Sequence, residues 1–313
     1  MPHHARSNSP GALRLAVIAT AIVAAIECAG GFLSHSLALL TDSAHVFLDA
    51  VALLIALAAL HLAAMPATRK QTFGFGRTEI LAALLNGGLL FAITVFIVYE
   101  AVERFVHPVL PDGPVMGAFA AFGLVVNAVL SSLLVRGAHG NLNVRAAALH
   151  VASDALAAAG VLLGAVLIWR LQWAWIDPLL SLGIAAAIVA GVVHVVREAS
   201  DVLLESVPAH VDVAHVEQCI RRVEGVLAVH DLHVWTLGTG NYALSAHILL
   251  PDRSISDATQ ILQTVDRAMR DEFAISHVTV QFECESCAVD DRIVCTQSPQ
   301  PPGDRGTLEE KRI

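Results

Sequence analysis

The distribution of apolar residues predicts an α-helical membrane protein with six transmembrane helices, followed by a small soluble α/β domain. Three observations carry this. Hydrophobic residues make up 56% of the 313 and the mean hydropathy is +0.65, above the roughly 45–50% apolar content of a soluble domain. The excess lies in the first two thirds of the chain as long runs. Residues 80–99 and 115–135 contain no Asp, Glu, Lys or Arg, and each approaches the ~20 residues that span a bilayer core as a helix. From about residue 205 the long runs give way to short amphipathic segments.

Four further segments are comparable but carry isolated polar residues: 15–33, 37–62, 146–169 and 176–196. Residues 15–33 lack a cleavage pattern leading into a soluble domain and five more spans follow, so they read as a retained span. Arg6, Arg14, Arg69, Lys70, Arg77, Arg136, Arg145 and Arg197 fall on one side of this arrangement, and only Arg104 and Arg170 on the other. The positive-inside rule places both termini in the cytoplasm.

The soluble part reads α-β-β-α-β. Residues 211–223 form an amphipathic helix and 226–237 alternate like a strand. Gly238-Thr-Gly-Asn241 supplies hairpin turn chemistry before a second strand at 242–250. Residues 257–273 form a second helix, with Ser256 or Asp257 as its cap, and 277–283 a third strand. This order suits a ferredoxin-like domain. The expected division is 1–11 as a mobile N-terminus, 12–204 as the membrane domain, 205–288 as the ferredoxin-like domain and 289–313 as a disordered tail rich in Pro, Gln and charge.

Residues 1–200 hold 10 acidic and 10 basic groups, and 201–313 hold 18 and 9, so the net charge of -9 resides in the C-terminal part. That balance argues against nucleic acid as a partner. Five cysteines do not make a disulfide framework. Cys28 lies in span 1 and Cys219 in a soluble helix, while Cys284, Cys287 and Cys295 cluster late, a grouping more typical of a metal or redox site in a cytoplasmic domain.

Spans 2 and 5 carry the decisive residues. His45 and Asp49 in one, and His150 and Asp154 in the other, share the spacing His-x-x-x-Asp. Positions i and i+4 lie on one helix face a turn apart. Ionisable groups near the bilayer centre cost about 2.5–3.5 kcal/mol each on insertion scales and imply a compensating partner. Two such helices facing each other bring together two nitrogens and two oxygens, a tetrahedral set suited to Zn²⁺. For one pair alone, local hydrogen bonding would be the simpler reading; two identical spacings at similar depth favour a shared metal site. Asp42, one turn before His45, is a neighbour of that site, part of an access path, or simply at the span's polar end. Helix–helix hydrogen bonding accounts for Glu27 in span 1 and Asn127 in span 4. Asp177-Pro178 reads as ordinary helix-start chemistry for span 6.

At these residues the chain resembles the cation diffusion facilitator family. The resemblance rests on Gly30-Gly-Phe-Leu-Ser-His-Ser-Leu-Ala-Leu-Leu-Thr-Asp-Ser-Ala-His-Val-Phe-Leu-Asp-Ala50 and Phe73-Gly-Phe-Gly-Arg-Thr-Glu-Ile-Leu-Ala82. His150-Val-Ala-Ser-Asp154, Trp175-Ile-Asp-Pro178 and His230-Asp-Leu-His-Val-Trp235 extend it over about residues 12–287. It implies a homodimer with six spans per protomer, a ferredoxin-like cytoplasmic domain, and export of zinc in exchange for protons, with His45, Asp49, His150 and Asp154 as the transport site. A His at the first position of the span 2 motif resembles the zinc-preferring members. The short chain leans toward a bacterial inner membrane. Two departures stand out. Thr68, Gln71 and Phe75 occupy positions where some relatives place ligands for a further metal, so no site is expected there, and the loop between spans 4 and 5 holds only His139 where eukaryotic relatives are often His-rich.

The same resemblance implies a cytoplasmic metal site at His230, His247 and Glu283, on three adjacent strands. Cys284 and Cys287 offer two thiolates at chelating spacing, with reduced free thiols as the alternative. Metal binding needs neutral imidazoles and ionised carboxylates and so releases protons, which makes His45 and His150 the expected proton carriers. The chain is not expected to be an enzyme. An intramembrane metalloprotease would need a motif such as His-Glu-x-x-His, and ligands buried in two spans make little sense in a membrane-anchored metal sensor. The alternative within the transporter class is a different ion: Cd²⁺, Co²⁺, Mn²⁺ or Fe²⁺.

Overall fold

The computed structural model describes residues 9–137 and 142–284. The expected tail at 289–313, most of the N-terminal segment, His139, Cys287 and Cys295 lie outside the described residues. The chain divides after Leu204 into two compact units.

The first unit is six helices: α1 (Ser9–Ser34), α2 (Leu37–Ala63), α3 (Thr78–Val106), α4 (Gly113–Gly137), α5 (Leu142–Leu171) and α6 (Ile176–Leu203). Among the described residues, α2 to α6 are long and apolar enough to cross a membrane, and Ile18–Ser34 of α1 is a shorter apolar stretch. Large apolar side chains such as Leu54, Phe91 and Leu163 are exposed on the outside, as a lipid-facing surface requires. Inside, small residues let helices approach. A methyl group on Gly30 would collide with Phe119 of α4, and one on Gly164 with Leu180 of α6. The helix pairs α4–α5 and α3–α6 pack most extensively. Met116, Ala120, Val161, Ala165 and Ile168 form one buried cluster between α4 and α5.

Asp177 departs from the expectation that it caps its own helix. The residue before α6 is Trp175, which makes no capping bond. The Asp177 carboxylate instead caps α2: Leu37 N donates to Oδ2 at 2.7 Å, Ala38 N to Oδ1 at 3.1 Å, and the N-cap Ser36 Oγ to Oδ1 at 2.6 Å. Arg104 of α3 completes the knot, with Nη1 donating to His35 O at 2.7 Å and lying 3.2 Å from Asp177 Oδ2. The negative charge stabilises the positive end of the α2 dipole and neutralises a guanidinium whose side chain is 13% exposed. One carboxylate thus ties α2, α3 and α6 together at one end.

The second unit contains α7 (Val213–Arg221), β1 (Ala228–Gly238), β2 (Asn241–Leu250), α8 (Ile255–Phe273) and β3 (Ile275–Cys284). The sheet order is β1-β2-β3, with β1–β2 antiparallel and β2–β3 parallel across the α8 connection. Thr239 and Gly240 close the hairpin, Gly240 at φ 73°. The α8 cap is Ser254, not Ser256 or Asp257: its Oγ accepts from Asp257 N at 3.2 Å, an N-cap bond, and donates to Asp257 Oδ2 at 2.8 Å. Val216 and Ile220 of α7 and Val265, Met269 and Phe273 of α8 pack on Leu244, Ala246 and Ile248 of β2. Because β-strand side chains alternate, burial of Val229 and Ile248 turns His230 and His247 to the opposite face of the sheet.

Candidate metal centre

His45 and Asp49 project from α2, and His150 and Asp154 from α5. The structure brings these four side chains together. His150 Nε2 lies 3.2 Å from Asp49 Oδ2 across the helix pair, His45 Nε2 lies 3.5 Å from the same oxygen, and His150 Nε2 is 4.0 Å from Asp154 Oδ2. Two imidazoles therefore converge on one carboxylate oxygen. Asp49 Oδ2, His45 Nδ1 and Asp154 Oδ2 are all buried without hydrogen-bond geometry to any partner among the described residues. Asp154 is 4% exposed and His150 half-exposed, so the set grades from a dry floor to an open rim. It lines a cavity of about 800 Å³ walled by α2, α3, α5 and α6.

The sequence reading missed Asn86 of α3, which lines the same cavity with its Oδ1 buried and unpartnered. The signal was a lone amide within an otherwise apolar stretch. Glu27 and Asn127 are corrected: both Glu27 oxygens and Asn127 Oδ1 are buried with no hydrogen-bond partner among the described residues, so helix–helix hydrogen bonding does not account for them. Glu27 of α1 sits over Gly123 of α4, where a methyl group would collide with its carboxylate. It lies within Coulombic range of Asp42 and Asp154. Asp42 is 2% exposed and so is inside the helix bundle rather than at a polar end. Thr68 and Gln71 are hydrogen-bonded to each other in the α2–α3 loop, Oγ1 to Oε1 at 2.6 Å.

Among the described residues, the tightest convergence of metal-ligand side chains is in the α/β unit. One ligand atom from each of His230, His247 and Glu283 lies within 4.8 Å of the others. The register explains it. His230 of β1 and His247 of β2 are direct cross-strand partners, and cross-strand neighbours on one face approach closely. Glu283 on β3 stands beside them, opposite Leu249. Its oxygens lie 3.1 Å from His230 Nε2 and 3.0 Å from His247 Nδ1. The two rings meet edge to face at 5.4 Å. His230 Nε2 is buried yet makes no hydrogen bond, although a Glu283 oxygen lies 3.1 Å away. Two imidazoles and a carboxylate form a ligand set that Zn²⁺ and similar cations accept, and these residues fit a bound metal.

Asp231, the other residue missed in the sequence, flanks this set. It sits in the β1 bulge at φ 49°, a left-handed conformation that Asp tolerates better than most residues. That turn sends its Oδ2 to within 3.6 Å of His247 Nε2 and its Oδ1 to 3.0 Å from His233 Nε2. Cys284 at the end of β3 is disulfide-bonded, and in that state its sulfur is not a thiolate ligand. Its expected partner in chelation, Cys287, lies outside the described residues.

Comparisons with known proteins cover both units. Residues 13–204 match the family model described as the cation efflux transmembrane domain, and residues 208–285 the cation efflux protein cytoplasmic domain. A relative from Bacillus subtilis, named a cadmium, cobalt and zinc/H(+)-K(+) antiporter, is 39% identical over 273 residues, 86% of this chain and 88% of its own length. The metal cation efflux system protein CzcD of Cupriavidus metallidurans is 38% identical over 285 residues, 91% of this chain and 90% of its own. The zinc transporter ZitB of Escherichia coli is 36% identical over 287 residues, 91% of each chain.

Proposed function

The chain belongs to the cation efflux family, and from that premise we propose that it exports Zn²⁺ from the cytoplasm in exchange for protons. The observation that carries this reading is the contact of His150 Nε2 with Asp49 Oδ2 at 3.2 Å. It joins the two His-x-x-x-Asp helices through the groups that a tetrahedral cation would take.

In this reading His45, Asp49, His150 and Asp154 hold the transported ion as substrate. Two carboxylates balance its charge, and neutral imidazole nitrogens supply the remaining ligands. Binding displaces protons from the same groups, so one residue set carries both the ion and the protons. That is the minimal chemistry of exchange, with His45 and His150 as proton carriers. Asn86, on the cavity wall, offers a neutral oxygen to the ion or to its remaining water. Alternating access exposes the set first to one side of the membrane and then to the other.

The reading extends to a six-span membrane domain over residues 12–204 and a ferredoxin-like domain over 205–288. The six consecutive helices and the α-β-β-α-β order support these assignments. It further takes both termini as cytoplasmic, the bacterial inner membrane as the location and a homodimer as the working unit. The protein is a transporter and not an enzyme. His230, His247 and Glu283 hold a regulatory metal that favours the transport-competent state. Relatives named for cadmium and cobalt as well as zinc support a second reading within the class, in which Cd²⁺ and Co²⁺ are carried too.

Zn²⁺ flux into proteoliposomes under an imposed proton gradient is the test. Flux that collapses with the gradient and in Asp49→Ala and Asp154→Ala supports the reading. Wild-type flux in both variants would sink the assignment of the site, and flux of another divalent ion without zinc would sink the ion.

A further inference from the structure

A second cluster of metal-ligand side chains lies on the helical side of the α/β unit, facing away from the His230–His247 face of the sheet. His215 and Cys219 stand one turn apart on α7, and Glu272 stands in the last turn of α8. His215 Nε2 lies 2.9 Å from Glu272 Oε1, and Cys219 Sγ donates to Glu272 Oε2 at 3.4 Å. One carboxylate thus bridges an imidazole and a thiol, each through its own oxygen.

The placement is dictated by the core. Val216 and Ile220 are fully buried and fix the rotation of α7. Residues one position earlier are turned about a quarter of the way round the helix, to its edge against α8. Burial of Val265, Met269 and Phe273 fixes α8 in the same way. Phe273 also presents its ring to the His215 imidazole, 5.2 Å away at 77°. Asp212 anchors the start of α7, its Oδ1 accepting from Ala214 N at 3.0 Å. The three side chains therefore rise from rigid elements, as a ligand-binding set must. They remain reachable, with the His215 and Glu272 side chains 48% and 46% exposed.

We propose that His215, Cys219 and Glu272 form a surface site for a thiophilic divalent cation of the Zn²⁺, Cd²⁺ or Co²⁺ class. A His and a Cys at i and i+4 share one helix face, and closing both side chains on a cation with a carboxylate and a water would complete a tetrahedral set. In the metal-free form the Glu272 carboxylate lies between its neighbours, accepting from Cys219 Sγ and 2.9 Å from His215 Nε2. Metal binding replaces the thiol proton, which leaves to solvent as Cys219 Sγ bonds the cation, while Glu272 swings to the side and becomes a ligand. Hard cations such as Mg²⁺ prefer all-oxygen shells and are excluded by the sulfur. This site stands apart from the transport reading and does not depend on it.

The test is the alkylation rate of Cys219 in the full-length protein in detergent, read by mass spectrometry of its peptide. Zn²⁺ slows the reaction more than about tenfold in wild type, and Mg²⁺ does not. His215→Ala removes a chelating arm and raises the Zn²⁺ concentration for half-protection by about 10²-fold, whereas His247→Ala leaves protection intact. A thiolate-to-metal charge-transfer band on adding Co²⁺, absent in Cys219→Ser, is the second readout. His215→Gln and Glu272→Gln serve if the alanine variant loses its circular dichroism spectrum. Protection unchanged in the His215 and Glu272 variants, or abolished by His247→Ala, overturns the proposal.

Discussion

Ser36 Oγ donates to Asp177 Oδ1 at 2.6 Å, a bond between residues 141 positions apart that joins the start of α2 to the start of α6. Through it the helix bearing His45 and Asp49 is held by a carboxylate that is 0% exposed and faces Arg104. Removing one partner of a buried ion pair costs about 3–5 kcal/mol, because the other charge is left uncompensated. Asp177→Ala therefore lowers the thermal unfolding temperature and reduces flux, while Asp177→Asn, which keeps the capping oxygen, retains part of both. A melting curve in detergent for the two variants decides it. Equal and wild-type stability in both would remove the knot from the account.

Asp49 Oδ2 lies within 3.5 Å of two imidazole nitrogens, whereas Asp154 lies 4.0 Å from one. Loss of a group that merely orients a ligand typically costs 10–100-fold in affinity, so Asp49→Ala loses at least about 10²-fold in Zn²⁺ affinity. Isothermal titration on the purified protein in which the His230 site has been removed measures it. Asn86→Ala, which deletes a lining amide, costs less than either Asp variant.

The Glu27 carboxylate lies where a Gly123 side chain would be. Gly123→Ala forces an overpacked interior at a typical cost of 1–3 kcal/mol. Combined with Glu27→Ala the collision disappears, so the double variant is more stable than the sum of the singles. A double-mutant cycle on unfolding measures the coupling, and additive effects would separate the two residues.

Zn²⁺ raises the unfolding temperature of the wild-type protein through the His230, His247 and Glu283 set. At 100-fold excess over Kd the stabilisation is about 2.7 kcal/mol. Glu283→Ala removes the part of the increment due to this set, leaving a smaller one from other bound Zn²⁺, while proteoliposome flux persists at reduced rate. Flux lost together with the increment would make this metal part of transport rather than of its regulation.

Burial, with the adjacent Glu272 carboxylate, pushes the Cys219 thiol above its ordinary range. At a given pH less of it is thiolate, the reactive form. In chelator-treated protein, Glu272→Gln removes the negative charge and the hydrogen-bond acceptor, so the rate–pH profile of alkylation moves to lower pH. An unchanged profile would assign the shift to burial alone.

The helical period made the convergence of His45, Asp49, His150 and Asp154 legible. Two His-x-x-x-Asp spacings in apolar segments specify which faces meet, and the fold needs only to bring α2 and α5 side by side. His230, His247 and Glu283 are implied by the family resemblance, and the turn at Thr239-Gly240 makes the first two cross-strand partners. What sequence could not reveal was long-range partnership. Asp177 beside Pro178 has every local mark of a cap for its own helix, yet the neighbouring start of α2 offers it three donors. Asp231 owes its place to a bulge that no residue pattern announces. Glu27 is isolated in sequence, and its acidic neighbours come from other helices.

The knot at Asp177 also sets how α2 can move. Its first turn is moored to α3 and α6, so α2 behaves as a lever with its pivot at Leu37, about 40 Å long over its 27 residues. His45 lies roughly 12 Å along it. A swing of about 10° displaces His45 by only about 2 Å and the far end by about 7 Å. If α2 swings about this mooring during the proposed exchange, a modest displacement at His45 becomes a wide one at the end where α2 leads into the loop carrying Thr68 and Gln71.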